Sequence, residues 1–444
     1  LYRLQEDLGS RILTHLSCRC GDYSLDLTQP QMIERTNAMD SPANLSEGEK
    51  GRHTIRDIKV MMLQGPSRSY TLVKIVANDG IYGIGEAYGS PGVGVKEQIE
   101  DIVPALIGRD PLEIDVLYTL MGQNPNPGTG WAGASRTDGS AHALMRAASG
   151  IEMALWDLSG KILGVPSTVL LGGKFREKVR VYDHARPRDI LDRASCKEWA
   201  QQVKEDPAGF TCHKFGFPHT TPETDKGRDL SNRVLTVREF RQLEEGFANC
   251  REALGWDHDI MVHCHWEYDV RTAIQIAEAV APIKPLWLED AMIVNHSESW
   301  KRLTASSPVP ICTGENLWRR HEFADFIVHQ GCDILHPDLR NSGGFLENKR
   351  IADMAEIWGL PMATHNTGSQ LNTWATCQWA GSIRDFIACE TVTGKGDWMD
   401  ELLILDGAYI ENGHIRITEK PGFGVDLDPD VARGHLAEGE TWWA

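Results

Sequence analysis

Six polar residues close successive short apolar runs: His263 or His265, Glu289, Glu315, Asp338, His365 and Glu390. Counted from His263, the steps between them are 26, 26, 23, 27 and 25 residues. Two carboxylates and an imidazole, Glu289, Glu315 and His263, can together hold a divalent cation. The carboxylates favour Mg2+ or Mn2+, and the imidazole pulls towards Mn2+, Fe2+ or Zn2+. Asp338 and His365 end neighbouring runs. A carboxylate bonded to one ring nitrogen orients an imidazole and raises its basicity, so His365 is a candidate general base with Asp338 as its orienter. His265 lies two residues after His263. Period-two alternation puts both on one side of a strand, where His265 can act as a second acid or base. A cation flanked by two histidines suits abstraction of a proton alpha to a carboxylate and departure of a β-hydroxyl. Any one of these residues could equally be a satisfied polar group at a strand end. The regular series is what argues for chemistry.

The steps are each about one strand plus one helix, and the chain between them has that rhythm. Strands are expected at Val179–His184, Thr211–Phe215, Ile260–His265, Leu286–Glu289, Pro310–Glu315, Ile334–Asp338, Pro361–His365 and Phe386–Glu390. Helical patterns lie between most of them, as in Val237–Leu254, Val270–Ala281 and Phe345–Trp358. Eight alternating units predict a parallel barrel whose strand ends all meet at one face. Before it, Ile55–Gln64, Ser69–Ala77 and Ile81–Gly85 read as an antiparallel meander turning at Asn78-Asp79-Gly80. Helices follow at Val95–Leu106, Pro111–Met121 and Ala141–Leu163. The expected organisation is an extension (1–53), an α+β domain (54–165), the barrel (166–400) and a C-terminal segment (401–444).

The chain of 444 residues suits a barrel plus a second domain, and 41% hydrophobic with 24% charged residues is globular. A net charge of −18 argues against nonspecific nucleic-acid binding, which relies on neutralising phosphates. The longest apolar runs are too short to span a membrane. Cys18 and Cys20 lack a second pair for a zinc ribbon, while Cys212, Cys264, Cys312 and Cys389 read as buried thiols. Free thiols and a start unlike a signal peptide lead to the expectation of a cytoplasmic protein. The acidic surface and the N-terminal arm are compatible with a homo-oligomer.

The motifs Trp287-Leu288-Glu289-Asp290, Cys312-Thr313-Gly314-Glu315-Asn316, His336-Pro337-Asp338-Leu339 with Gly343-Gly344, and Thr364-His365 keep a recognisable order and spacing. With Ser149-Gly150-Ile151-Glu152 through Trp156-Asp157-Leu158, and Gly172-Gly173, they resemble the mandelate racemase branch of the enolase superfamily over roughly residues 54–420. The resemblance implies a modified (β/α)7β TIM-type barrel with an N-terminal α+β capping domain completed by the C-terminal tail. Glu86-Ala87-Tyr88 and the Gln123–Arg136 loop fall where capping loops that select substrate lie. It implies metal ligands at Glu289 and Glu315, an Asp338–His365 dyad, and at Glu390 an acid that hydrogen-bonds the substrate carboxylate. His265 is similar to an acid–base histidine of galactonate and mannonate dehydratases. The implied reaction is dehydration of an aldonic acid to a 2-keto-3-deoxy acid, with Mg2+ the favoured cation.

Two positions depart from that pattern. His263 stands where the family carries an aspartate, which opens the site to Mn2+ or another transition metal; Asp259, at the strand's start, lies at the wrong end to replace it. Lys214 survives from a lysine pair, with Cys212 at the other position, and it can touch the substrate, orient a ligand or serve as a structural ion pair. His213 points the other way. An epimerase, or a lyase acting on a uronate-containing saccharide, would use the same enediolate. A binding relative with an altered metal site is the alternative of another class. A glycosidase would leave the Asp338–His365 dyad without a purpose.

Overall fold

The computed structural model describes residues 51–443, apart from 67, 90–93, 122–138, 218–232 and 393–396. The extension up to residue 50 and the Gln123–Arg136 loop lie outside the described residues.

Strands β1 (Ile55–Gln64), β2 (Ser69–Ala77) and β3 (Tyr82–Ala87) form an antiparallel sheet in that order. The turn at Asn78-Asp79-Gly80 is set by Gly80, whose φ of +93° favours glycine, and by the Asp79 carboxylate accepting from the Ile81 amide. Helix α1 (Val95–Leu106) buries Val95, Ile99, Ile102 and Leu106, a helical stripe. Helix α2 (Ile114–Met121) follows, and then the long α3 (Gly139–Leu163). Helix α3 packs directly on β3 because the facing strand residues are small. A Cβ on Gly83 would lie 2.2 Å from the Ala154 carbonyl oxygen, and one on Gly85 would lie 2.6 Å from that of Gly150.

After α4 (Ser167–Leu170) the strand–helix alternation begins: β4 (Lys178–Tyr182), α5 (Arg193–Glu205), β5 (Cys212–Phe215), α6 (Val237–Leu254), β6 (Asp259–His263), α7 (Val270–Val280), β7 (Leu288–Glu289), α8 (Glu298–Ser306), β8 (Ile311–Thr313) and α9 (Arg319–Val328). It continues with β9 (Ile334–Leu335), α10 (Leu339–Ser342), α11 (Gly344–Ile357), β10 (Met362–Thr364), α12 (Gln370–Gly381) and β11 (Phe386–Glu390). Short strands β12 (Leu403–Ile404), β13 (His414–Arg416) and β14 (Asp426–Leu427) and helix α13 (Pro429–Gly434) complete the chain. Start signals are local: Asp192, Thr236 and Asp269 cap α5, α6 and α7, with Thr236 and Glu239 forming a capping box.

Parallel pairing runs β4-β11-β10-β9-β8-β7-β6-β5. The ring closes where the Lys214 amide donates to the Asp183 carbonyl at 2.9 Å. This is a (β/α)7β barrel: among the described residues only a single 3-10 turn, Trp398–Asp400, lies between β11 and the C-terminal segment, with no α-helix there. Most strands stop earlier than expected, but the helix bounds agree within a few residues. One apolar or thiol side chain from each strand fills the interior: Tyr182, Cys212, Met261, Trp287, Cys312, Ile334, Ala363 and Ala388. Period-two alternation places the residues two positions further along on the same inward face. They are His184, Lys214, His263, Glu289, Gly314, His336, His365 and Glu390. The barrel is thus packed below and polar above.

The quoted motif on α3 docks the two layers. Glu152 accepts from the Phe345 and Leu346 amides at 2.7 and 2.9 Å, at the start of α11. Ser149 Oγ accepts from the Gly343 amide at 3.1 Å. Asp157 accepts from the amides of Ile84 on β3 and Phe423 in the C-terminal segment. That segment returns to β1: the Ala437 amide donates to the Met62 carbonyl, and Lys59 to that of Trp443. Among the described residues no helix is long and apolar enough to cross a membrane. Cys212, Cys264, Cys312 and Cys389 are free, buried thiols.

Candidate active site

The polar layer opens into a cavity of about 480 Å3 lined by Lys214, His263, His265, Glu315, His365 and Glu390, together with Arg68, Tyr88, His184, Arg186 and Thr367.

His263 ends β6 with its Nε2 3.6 Å from Glu289 Oε1, 3.8 Å from Asp290 Oδ2 and 3.9 Å from Glu315 Oε2. One ligand atom from each of these four residues lies within 4.8 Å of all the others. His263 Nε2, Asp290 Oδ2 and Glu315 Oε2 are buried and have no hydrogen-bond partner among the described residues. Orphaned buried donor atoms of this kind, one nitrogen and two carboxylate oxygens, fit a divalent cation. Burial, opposed by His365 and Lys214 but reinforced by Glu289, pushes Glu315 up to about 7. Burial and the charges of Glu315 and Glu289 push Asp290 well up. Burial and mutual proximity thus disfavour ionisation of Asp290 and Glu315 together.

Lys214 reaches Glu289 at 2.5 Å and Glu390 at 3.1 Å. Burial opposes its charge, but Glu289, Glu390 and Glu315 outweigh this and keep the ammonium protonated. Glu390 also accepts from the Tyr182 hydroxyl, from the Asn366 amide and from His184. Burial alone would raise its pKa, yet Lys214, His365 and His184 hold it well below the usual range. Glu390 therefore faces the cavity as an acceptor for these donors.

Asp338 begins α10 as its N-cap, accepting from the Arg340 amide at 2.9 Å. Its Oδ2 accepts from Arg340 Nη2 at 2.9 Å and faces His365 Nδ1 at 2.8 Å. That leaves His365 Nε2 turned to the cavity, 3.8 Å from Glu315 and 4.0 Å from Glu390. Burial disfavours the imidazolium, but Glu315, Glu390 and Asp338 outweigh it and push His365 up to about 10.

His265 reaches the cavity by another route than strand alternation. Strand β6 stops at His263, and His265 and Trp266 take left-handed φ values of +52° and +63°. The turn folds the His265 ring back onto His263, with centroids 3.7 Å apart. Burial and then Lys214 lower its pKa, so the ring is neutral and able to accept a proton. Glu86 departs from expectation too. It lies on β3, not in a capping loop, and is fully buried, accepting from Arg340 at 2.9 Å. Tyr88, just beyond the strand, does line the cavity.

His213 and Asp259 stand apart from the cavity: His213 is bonded to Asp183 at 2.6 Å and Asp259 is paired with Arg180 at 2.7 Å. Sequence reasoning missed Asp290, Arg340, His184, Arg68 and Arg186. Asp290 stood inside a quoted motif, and Arg340 sits two residues from Asp338, so both were visible without a role. His184 was signalled as the polar end of the first barrel strand. Arg68, which donates to Thr367 at 2.6 Å from the loop between β1 and β2, left no such signal.

Comparison with known proteins follows the same lines. Residues 196–431 match the family described as enolase C-terminal domain-like, and residues 50–172 match the mandelate racemase / muconate lactonizing enzyme N-terminal domain. D-xylonate dehydratase of Haloferax volcanii is 34% identical over 387 residues, covering 87% of this chain and 90% of that protein. D-mannonate dehydratase of a Sphingomonas species is 27% identical, covering 86% and 94%. The crystal structure of a mandelate racemase/muconate lactonizing enzyme-like protein from Rubrobacter xylanophilus superposes with a TM-score of 0.79 at 29% identity, covering 88% of this chain and 99% of that one.

Proposed function

The chain belongs to the mandelate racemase branch of the enolase superfamily, and on that premise we propose that it is a metal-dependent hydro-lyase that dehydrates a sugar acid to a 2-keto-3-deoxy acid. The observation carrying this reading is that two histidines, His365 and His265, face one cavity around a cluster of carboxylates. Named sugar-acid dehydratases among the relatives support the substrate class.

His263, Glu289 and Glu315 would hold the divalent cation, which supplies positive charge against the substrate carboxylate as it takes on enediolate character. His365 Nε2 accepts the proton alpha to the carboxylate, and Asp338 fixes the ring through Nδ1. A neutral imidazole is needed for this. Neutralising Glu315 removes the largest of the influences that raise His365. His265 first takes up a proton from solvent and, as an imidazolium, gives it to the departing β-hydroxyl, so water leaves and the enol that remains tautomerises to the keto acid. Lys214, held by Glu289 and Glu390, directs its ammonium at the substrate carboxylate. Glu390 keeps Lys214 and His184 in place.

The test is a panel of aldonic and uronic acids with Mg2+ or Mn2+ in D2O, reading keto acid and alpha-deuterium. Keto acid is the expected product. Deuterium uptake without elimination would instead make the chain an epimerase.

A further inference from the structure

The cluster of ligand-type side chains contains one carboxyl group, that of Asp290, more than the proposed set of His263, Glu289 and Glu315 uses. The two Glu289 oxygens already accept protein donors, Oε1 from Lys214 at 2.5 Å and Oε2 from the Trp287 indole at 2.7 Å. Asp290 is differently placed. It is fully buried; its Oδ1 accepts from the Thr313 hydroxyl at 2.6 Å, which fixes the rotamer, while Oδ2 has no partner among the described residues. That oxygen is 3.8 Å from the equally unpartnered His263 Nε2.

Leaving a buried carboxylate oxygen unsatisfied is costly, because its desolvation is not repaid by any bond. Here it sits with two further orphaned atoms, and one cation would satisfy all three at once. A water molecule could bond to them but could not act as the common positive centre on which an imidazole nitrogen and several carboxylate oxygens converge. Edges of 3.6, 3.8 and 3.9 Å from His263 Nε2 are near the roughly 3.4–3.8 Å expected between ligands around a four-coordinate ion with bonds of about 2.1–2.3 Å. The backbone is bent to this arrangement. Asp290 has a φ of +47°, rare outside glycine and strained in the way functional positions often are. Its carbonyl is held by the amide of Trp266, in the left-handed turn that follows His263.

We propose that Asp290 is an oxygen ligand of the divalent cation, completing with His263, Glu289 and Glu315 a set of one imidazole nitrogen and three carboxylates. The assignment rests on the metal-dependent reading above and goes beyond it in naming a fourth ligand.

Mn2+ is the probe, because imidazole and carboxylate both suit it. Its binding to the whole chain is measured by calorimetry and by loss of the free-ion electron paramagnetic resonance signal, without substrate. Asp290→Asn keeps the bond from Thr313 and tolerates a left-handed φ. It is expected to weaken Mn2+ at least tenfold while circular dichroism shows an intact fold. In a His263→Asp background, where a carboxylate already replaces the imidazole, the same change should cost less than in the native chain. Binding within threefold of native in folded Asp290→Asn overturns the assignment, as does failure of the native chain to bind Mn2+. Should the variant not fold, anomalous diffraction from native crystals containing Mn2+ decides: a peak at about 2.0–2.5 Å from an Asp290 oxygen upholds it, and one beyond about 3.5 Å overturns it. A silent sugar-acid panel with Mn2+ bound would sink the dehydratase reading alone.

Discussion

Arg340 Nη1 donates to Glu86 Oε1 at 2.9 Å, with both side chains almost wholly buried. Glu86 belongs to the small antiparallel sheet and Arg340 to the turn of helix after β9. The same guanidinium grips Asp338, which in turn orients His365. The α+β layer is therefore wired to the candidate base through one arginine.

Breaking that pair should harm both stability and catalysis. Glu86→Ala leaves the Arg340 charge without one of its two carboxylates, and loss of one partner of a buried pair costs roughly 3–5 kcal/mol. Urea unfolding would show it. A loss under about 0.5 kcal/mol would mean that Arg340 is satisfied by Asp338 alone.

The two histidines should separate in isotope experiments. With a dehydrated substrate in hand, His365→Asn is expected to abolish alpha-proton exchange and His265→Asn to slow elimination while exchange persists. Each loss should be about 10²- to 10⁴-fold, the usual worth of a positioned acid or base. The opposite pattern would reverse the assignment.

Chelated protein should lose stability in alkali through His365. Its folded value is pushed up to about 10, above the value of about 6.5 in an unfolded chain. The stabilisation is thus fully present below pH of about 6.5 and is lost as pH rises through about 10. Melting temperatures in chelator from pH 6 to 10.5 should fall more for the native chain than for His365→Asn. Buried thiols also titrate in alkali but contribute to both proteins, so parallel curves would count against the raised value.

Gly344 tests the docking of α3 on α11. A Cβ there would lie 2.1 Å from Glu152 Oε2, and its φ is +78°. Gly344→Ala should cost at least about 2 kcal/mol through backbone strain and displaced Glu152. A near-native denaturation midpoint would show that Glu152 can move aside without losing the Phe345 and Leu346 amides.

The barrel was legible because its signals are local. Helix α6 runs Val237–Leu254 and β1 Ile55–Gln64 as the sequence suggests, since apolar periodicity and caps act within a few residues. The order of polar strand ends placed His263, Glu289, His365 and Glu390 on one face for the same reason: parallel strands in register bring equal positions together; Glu315 stands one residue past the equal position, Gly314, whose φ is +142°. What the sequence could not disclose depends on contacts between distant segments or on rare backbone angles. Strand alternation ended at His263, so only the left-handed turn explains how His265 stacks on it. Arg340 had no visible partner until β3 delivered Glu86 from 254 residues away. Asp290 was simply the residue after Glu289. The sequence by itself determined the alternation of elements and the chemical types gathered at the strand ends. Only tertiary structure decided which of those groups find partners in the protein and which buried atoms remain unpaired, because that depends on distances between segments that meet only when the barrel closes.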